Sequence, residues 1–460
     1  QGRWRATMWS GKAGESAGLL PGRRVFGPLF LIAATPPAAL LLVHGVAEYK
    51  GDVAAMGSAL AADPLGVLRA SVVWPTAEAV GALAAFAAFQ IALLLWVPGK
   101  TFKGPVTPMG NTPIYTANGL QSFFITLAAF FLLSDAAPLG PTLFRATIVH
   151  DLLPQMVTFL NGFALLFCLF LYAKGRWAPS TTDSGTSGYP IFDFYWGTEL
   201  YPRLLGGRID VKTLTNCRLG MMGWPVALLS FAAADVARRG DGTISPAVAV
   251  SAALQLVYCA KFFWWETGYW ASIDIMHDRA GYYICWGCLV WVPALYYSPA
   301  YVMTAAAAAG ADGGAGDWSW PAAAALFAAG WLAIYLNFDS DRQRYFFRAT
   351  GGKAAIWGAA PRAVEAKYTT EDGKARRSLL LVSGYWGLSR HFNYAVEIAA
   401  ALCWSLPAGG VPQAYFYVGF LTILLLDRAY RDDRRCADKY GEAWQEYCRL
   451  VPSRIIPGLL

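Results

Sequence analysis

The chain has 460 residues, 56% of them hydrophobic and 15% charged, with a mean hydropathy of +0.38 and a formal net charge of +7. Soluble globular domains carry about 25% charged residues, so this composition excludes an ordinary water-soluble enzyme. Long apolar runs point instead to a polytopic all-α membrane protein, with membrane lipids as neighbours and no nucleic acid as partner.

In chain order, residues 1–25 are polar and basic, with the pair Arg23-Arg24, and read as a trimmed cytosolic extension rather than a cleaved signal. Apolar runs follow at Phe26–Val46, Ala77–Val97, Gly119–Leu139 and Leu152–Ala173, making 26–173 a scaffold of spans. Residues 174–218 form a polar, cytosolic loop. It opens with the linker-like PSTTDSGTSG and changes to GYPIFDFYWGTELYPRL, whose aromatics predict a folded half. Further runs cover Pro225–Val236, Ala247–Trp265, Tyr282–Ala309, Ala322–Leu336, Leu379–Leu406 and Tyr415–Leu426. With roughly 20 residues needed per crossing, about ten spans are expected. Ala305–Gly316 reads as a lumenal linker. Asp341–Ser378 holds nine Lys/Arg and the tail from Arg428 holds seven, while Gly310–Ser319 holds none. The positive-inside rule puts the basic segments, and with an even span count both termini, in the cytosol.

Eight cysteines lack framework spacing, and Cys285-x-x-Cys288 sits in a Trp-rich span without a second pair, so apolar packing is expected. Four scattered histidines predict no metal site.

Ionisable groups at membrane depth are expensive and usually serve a site. In KFFWWETGYWASIDIMHDRAGYYICWGCLVWVP, Glu266, Asp274, His277 and Asp278 fall beside or within apolar helix, with Asp274 and Asp278 at i,i+4. Trp264, Trp265, Tyr269, Trp270, Tyr282, Tyr283 and Trp286 are expected to wall a flat apolar cavity. Desolvated carboxyls there can donate protons; the bland alternative is an interhelical hydrogen-bond cluster. Arg344 and Arg348 present two guanidiniums at i,i+4 just after a span, suited to phosphate. LLLVSGYWGLSRHFNY starts like a membrane helix and then carries Arg390, His391 and Asn393. The tail adds Arg431, Asp432, Arg434, Arg435, Cys436 and Lys439, with Tyr440, Trp444 and Tyr447 on one helical face for stacking. No GxGxxG occurs, so a nucleotide would bind outside a Rossmann fold. The expected site is a cytosolic, nucleotide-bearing mouth opening toward an apolar pocket.

FDFYWGTELYPR, DIMHDRAGYYICWGCLVWVP, LLVSGYWGLSRHFNY and DRAYRDDRRCADKYGEAWQEYCRLVPSRIIPGLL resemble the sterol reductases of the endoplasmic reticulum. TNCRLGMMGW and KFFWWETGYW resemble the Δ7 branch rather than the Δ14 branch. The likeness runs from about residue 188 to 460, and more loosely through the earlier spans. It implies an endoplasmic reticulum enzyme that uses NADPH to reduce the C7–C8 double bond of a Δ5,7-sterol. A C-terminal cofactor pocket (341–460) and sterol-pocket spans (219–340) go with it. NADPH contacts are implied at Arg344, Arg348, Leu381, Trp386, Asn393, Tyr394, Asp432, Cys436, Ala437, Asp438, Lys439, Tyr440 and Tyr447. Glu266, His277, Asp278 and Tyr282 are the proton-donor candidates; Trp265, Asp274, Trp286, Arg390 and His391 are expected to line the substrate pocket. Tyr201, Val396-Glu397 and Cys288 depart from common family residues. A sterol Δ8–Δ7 isomerase partner is a further expectation. Rival readings are a Δ14-sterol reductase, an isoprenylcysteine-type methyltransferase using S-adenosylmethionine, and a non-catalytic sterol-binding protein. The methyltransferases are shorter and lack DFYWGTELYPR and HDRAGYY.

Overall fold

The computed structural model describes residues 22, 24–107, 109–136, 141–308, 318–369 and 375–459. Residues 309–316 of the expected Ala305–Gly316 linker and most of the 1–25 extension lie outside the described residues, while 305–308 end a helix. The chain forms two compact units. Among described residues, the first holds Pro21–Ala323 with Trp404–Tyr417, and the second holds Ala324–Cys403 with Val418–Leu460.

Among the described residues, six helices are long and apolar enough to cross a membrane: Phe26–Ala47, Ala77–Trp96, Ile148–Trp177, Thr213–Arg239, Pro246–Trp264 and Trp320–Ala349. Large apolar side chains such as Phe30, Trp74, Trp96, Leu166 and Trp264 are exposed on them or beside them, as lipid contact requires. The other expected spans are shorter or interrupted. Gly119–Leu133 has 15 residues. The Tyr282–Ala309 run divides into Tyr282–Trp286, a π-helical turn Gly287–Tyr296 around Pro293, and Ser298–Ala308.

Backbone groups have no water to fall back on inside a bilayer. Pro36 and Pro37 interrupt Phe26–Ala47, and Asn161 Nδ2 donates to the Pro36 carbonyl at 3.0 Å. The C-terminal carbonyls of Ala77–Trp96 are likewise collected by Asn118 Nδ2, which donates to Leu93, Leu94 and Val97. Deep in the first unit Trp224 donates to Gln255 at 2.9 Å and packs against Tyr258, Tyr296, Tyr297, Trp404 and Tyr417.

PSTTDSGTSG is folded, contrary to its linker-like composition. Asp193 accepts from Thr186 and from Ser187, and buried Asp183 accepts from Asn111. The WGTE and DRAGYY segments then cross backbone to backbone. Gly197 has φ +103°, and a Cβ on it would stand 2.6 Å from Gly281 N; a Cβ on Gly281 would overlap Gly197 N. Neither contact can yield, because both are backbone. Gly281→Ala is therefore expected to cost about 3 kcal/mol, read as a fall in melting temperature in detergent; an unchanged value would refute this packing.

The second unit corrects the all-α expectation. Ala363–Thr369 and Ala375–Leu381 pair as an antiparallel hairpin with Val364 opposite Leu380 and Ala366 opposite Ser378. Leu379–Leu381 is thus strand, not the start of a membrane helix. The chain next makes the short helix Tyr385–Leu388 and enters Phe392–Ser405. Val364, Ala366, Leu380 and Val382 pack against Trp444, Tyr447 and Val451, seating the helix Glu442–Leu450 on the hairpin.

Candidate active site

In the first unit, Glu266 and Arg218 form a fully buried ion pair at 2.5 Å. Glu266 Oε2 also accepts from Gly119 N at 2.9 Å, and Arg218 Nη2 donates to Asn118 Oδ1 at 2.7 Å. Glu266 thus ties TNCRLGMMGW to KFFWWETGYW through Arg218.

The remaining acid candidates sit on a different stretch. Ile273–Met276 is a helix of only four residues that ends before His277, so Asp274 and Asp278 do not share a helical face. Asp278 is buried and His277 half-buried. Tyr282 stacks on Trp286 with centroids 4.9 Å apart and lies against Phe194 and Tyr195. Its hydroxyl meets Thr35 Oγ1 at 2.6 Å, and Thr35 donates to the Leu31 carbonyl. The proton order is thus Tyr282 to Thr35 to backbone. Trp286 Nε1 donates to Asn161 at 3.0 Å, which fixes the ring plane.

The aromatics do not wall one cavity. Trp196, Tyr283, Tyr282 and Trp286 form one layered array with Phe194 and Tyr195. Trp270 instead stacks on Tyr115 at 4.7 Å, Tyr269 packs near that cluster, and Trp264 points outward. Trp265 is half-buried, beside Gly268.

In the second unit the Trp320–Ala349 helix runs straight through the arginine pair. Arg344 lies 3.8 Å from the Trp386 ring centroid and binds Asp341 at 3.1 Å. Trp386 is pinned by its Nε1 bond to the Ser340 carbonyl, and Asn393 Nδ2 reaches the same Asp341 oxygen at 3.3 Å. Asn393 Oδ1 and His391 Nε2 are buried and have no hydrogen-bond partner among the described residues. His391 stacks on Tyr394 at 4.9 Å, and burial lowers its pKa to about 4 against the pull of Asp432 and Asp433, keeping the imidazole neutral. Arg348 is exposed, within electrostatic reach of Arg344, Asp432, Cys436 and Tyr440. Asp432 pairs with Arg435 at 2.5 Å. Burial pushes the Cys436 thiol up to about 12, so it is no thiolate at neutral pH. Lys439 sits 4.2 Å from the Tyr368 ring and 5.1 Å from that of Tyr440, with Ala437 and Asp438 beside it.

Three expectations change here. Gly441 (φ +54°) breaks the tail helix between Tyr440 and Trp444, and Trp444 and Tyr447 are buried in the hairpin core, with Tyr440 packed against it. Leu381 and Trp386 pack with Phe347 and Ile356, so Leu381 acts as a wall. Arg390 spends its donors on the Val451 and Pro452 carbonyls and on Asp433, which also pairs with Arg454 at 2.6 Å. These bonds anchor the tail.

Residues 50–460 match the ergosterol biosynthesis ERG4/ERG24 family. The chain belongs to this family. It is 45% identical over 435 residues, 94% of the chain and 96% of the relative, to a 7-dehydrocholesterol reductase of Arabidopsis thaliana. A Delta(14)-sterol reductase of Methylotuvimicrobium alcaliphilum is 34% identical, with 94% of the chain and 95% of the relative covered. A 7-dehydrocholesterol reductase of Xenopus laevis is 32% identical, covering 94% and 91%. Within this ERG4/ERG24 member, the departures have definite surroundings. Tyr201 is buried under a lysine, Lys212, 4.9 Å from its ring centroid, and Glu397 accepts from Asn337 at 2.8 Å. Neither Arg218 nor Lys212 stands out in the sequence as a site residue. An Arg inside TNCRLGMMGW, with no acid nearby in sequence, is the available signal that a distant carboxylate must pair with it.

Proposed function

We propose that this chain reduces the C7–C8 double bond of a Δ5,7-sterol with NADPH, as a multi-pass protein of the endoplasmic reticulum whose basic segments face the cytosol. The observation that carries the reading is 45% identity across 94% of the chain to a plant relative bearing the 7-dehydrocholesterol reductase name. The finer count of about ten crossings rests on the apolar runs, with the short and interrupted helices completing it.

The cofactor fits the groups present in the second unit. Arg344 and Arg348 supply guanidinium forks for phosphate. His391 Nε2 and Asn393 Oδ1, buried and without a partner among the described residues, are polar atoms that a bound nicotinamide or ribose would satisfy. Tyr394, Asp432, Cys436 and the edge Ala437–Tyr440 complete the expected contacts. NADPH supplies the hydride when bound.

The acid and the sterol surface are read from the segment that runs from Asp278 to Trp286 and the aromatics stacked on it. Protonation of the conjugated diene leaves a carbocation, which aromatic faces such as Tyr282 and Trp286 stabilise. The proton is held at Tyr282 Oη, at the Asp278 carboxyl or at His277. After a Tyr282 transfer the Thr35 hydroxyl turns to donate to the phenolate. The balance is one sterol diene, one NADPH and one proton giving one dihydrosterol and one NADP⁺. Expression in yeast engineered to accumulate Δ5,7-sterols should convert them to 7,8-dihydro products, seen by mass spectrometry. Conversion of Δ8,14-sterols alone would favour Δ14 chemistry, and an unchanged sterol profile would reject both.

A further inference from the structure

We propose that Lys212 is a positioning residue that sets the acid-bearing segment Ile273–Asp278 through its backbone carbonyls. The inference rests on reading that segment as the proton-donating side of the sterol site. Lys212 belongs to none of the expected sites and stands just before the π-helical turn Thr213–Gly220. Its side chain is completely buried. Nζ donates to the carbonyls of Asp274 at 3.2 Å, Ile275 at 2.6 Å and Asp278 at 2.8 Å. An ammonium has three protons, and all three are used.

The segment needs such a partner. A helix of four residues leaves its last carbonyls without intrahelical donors, and their combined dipole attracts a cation. The remaining face of the ammonium meets the Tyr201 ring, 4.9 Å from the centroid. Lys212 itself is fixed from below, since Asp210, two residues earlier, accepts from Thr213 N at 2.9 Å. Burial lowers the Lys212 pKa to about 8, with Asp210 and Asp278 pulling it back, so the ammonium persists near neutral pH.

A buried charge is a poor choice for stability alone. Well-packed apolar side chains often replace buried ions at no loss. What the ammonium does that an apolar side chain cannot is fix three carbonyls at once. That sets the backbone carrying Asp274, His277 and Asp278, and the approach to Tyr282. Proton transfer is sensitive to such placement; a misplacement of about 1 Å can cost about 100-fold in rate.

The test uses the full chain in detergent with NADPH and a Δ5,7-sterol. Lys212→Met should bind NADPH as the unaltered protein does and keep its sterol KM, while kcat falls about 100-fold. Its solvent deuterium isotope effect should rise and the effect of deuterated hydride should shrink, because protonation has become the slow step. Lys212→Arg, which keeps charge and donors, should recover part of the rate with isotope effects between the two. If Lys212→Met fails to fold, Lys212→Gln and Lys212→Arg carry the same comparison. Equal kcat per folded molecule with unaltered isotope effects would overturn the inference while leaving the functional reading intact. An unaltered protein inert toward the diene would overturn both.

Discussion

Glu266→Ala is expected to lower folding stability by about 3–5 kcal/mol, because it strands a buried guanidinium. Arg218 is fully buried, and its remaining partner would be Asn118 Oδ1 at 2.7 Å. The same substitution removes the acceptor for Gly119 N at the start of Gly119–Leu133. The loss should appear as a large fall in detergent melting temperature and in yield. The double variant Arg218→Met with Glu266→Met, which removes both charges, should recover much of it. Glu266→Gln that does fold should retain near-normal kcat per folded molecule, on the reading that the Glu266 side chain serves the Arg218 pair. A collapse of kcat in well-folded Glu266→Gln would make Glu266 a candidate acid again.

Arg344→Ala should raise the KM for NADPH by about 10- to 150-fold, the equivalent of about 1.5–3 kcal/mol for a charge-assisted contact. The guanidinium is preset by Trp386 beneath it and by Asp341 beside it, so little ordering cost is left at binding. Saturating kcat should change much less. Arg344→Lys keeps the charge but not the stacked plane and should recover part of the affinity. A KM identical to that of the unaltered protein would remove Arg344 from the cofactor site.

The membrane class and most helices are legible in the sequence because apolar runs near bilayer length rarely arise outside a membrane. Leu379–Val382 reads wrongly as helix because a four-residue Leu/Val run has no period that separates helix from strand. The deciding signal lies in its partner, AVEAKYT, where Val364 and Ala366 alternate with exposed residues as an amphipathic strand does. Trp444 and Tyr447 do share one helical face, but that face meets the hairpin instead of a ligand, since pairing across distant segments is not written in local spacing. Among the expected site groups, Arg344 and Asn393 both reach Asp341, with the Trp386 ring against the Arg344 guanidinium. Glu266 and Arg390 instead answer structural needs created by Arg218 and by the tail, and those needs arise only in three dimensions.

The central claim is that hydride from a nicotinamide reductant ends on a sterol ring carbon. Purified protein given NADPH deuterated at the transferred position and 7-dehydrocholesterol should oxidise one cofactor per sterol reduced, with one deuterium retained in the 7,8-dihydro product. Cofactor oxidation without label in the sterol, or no consumption of either, would contradict the account.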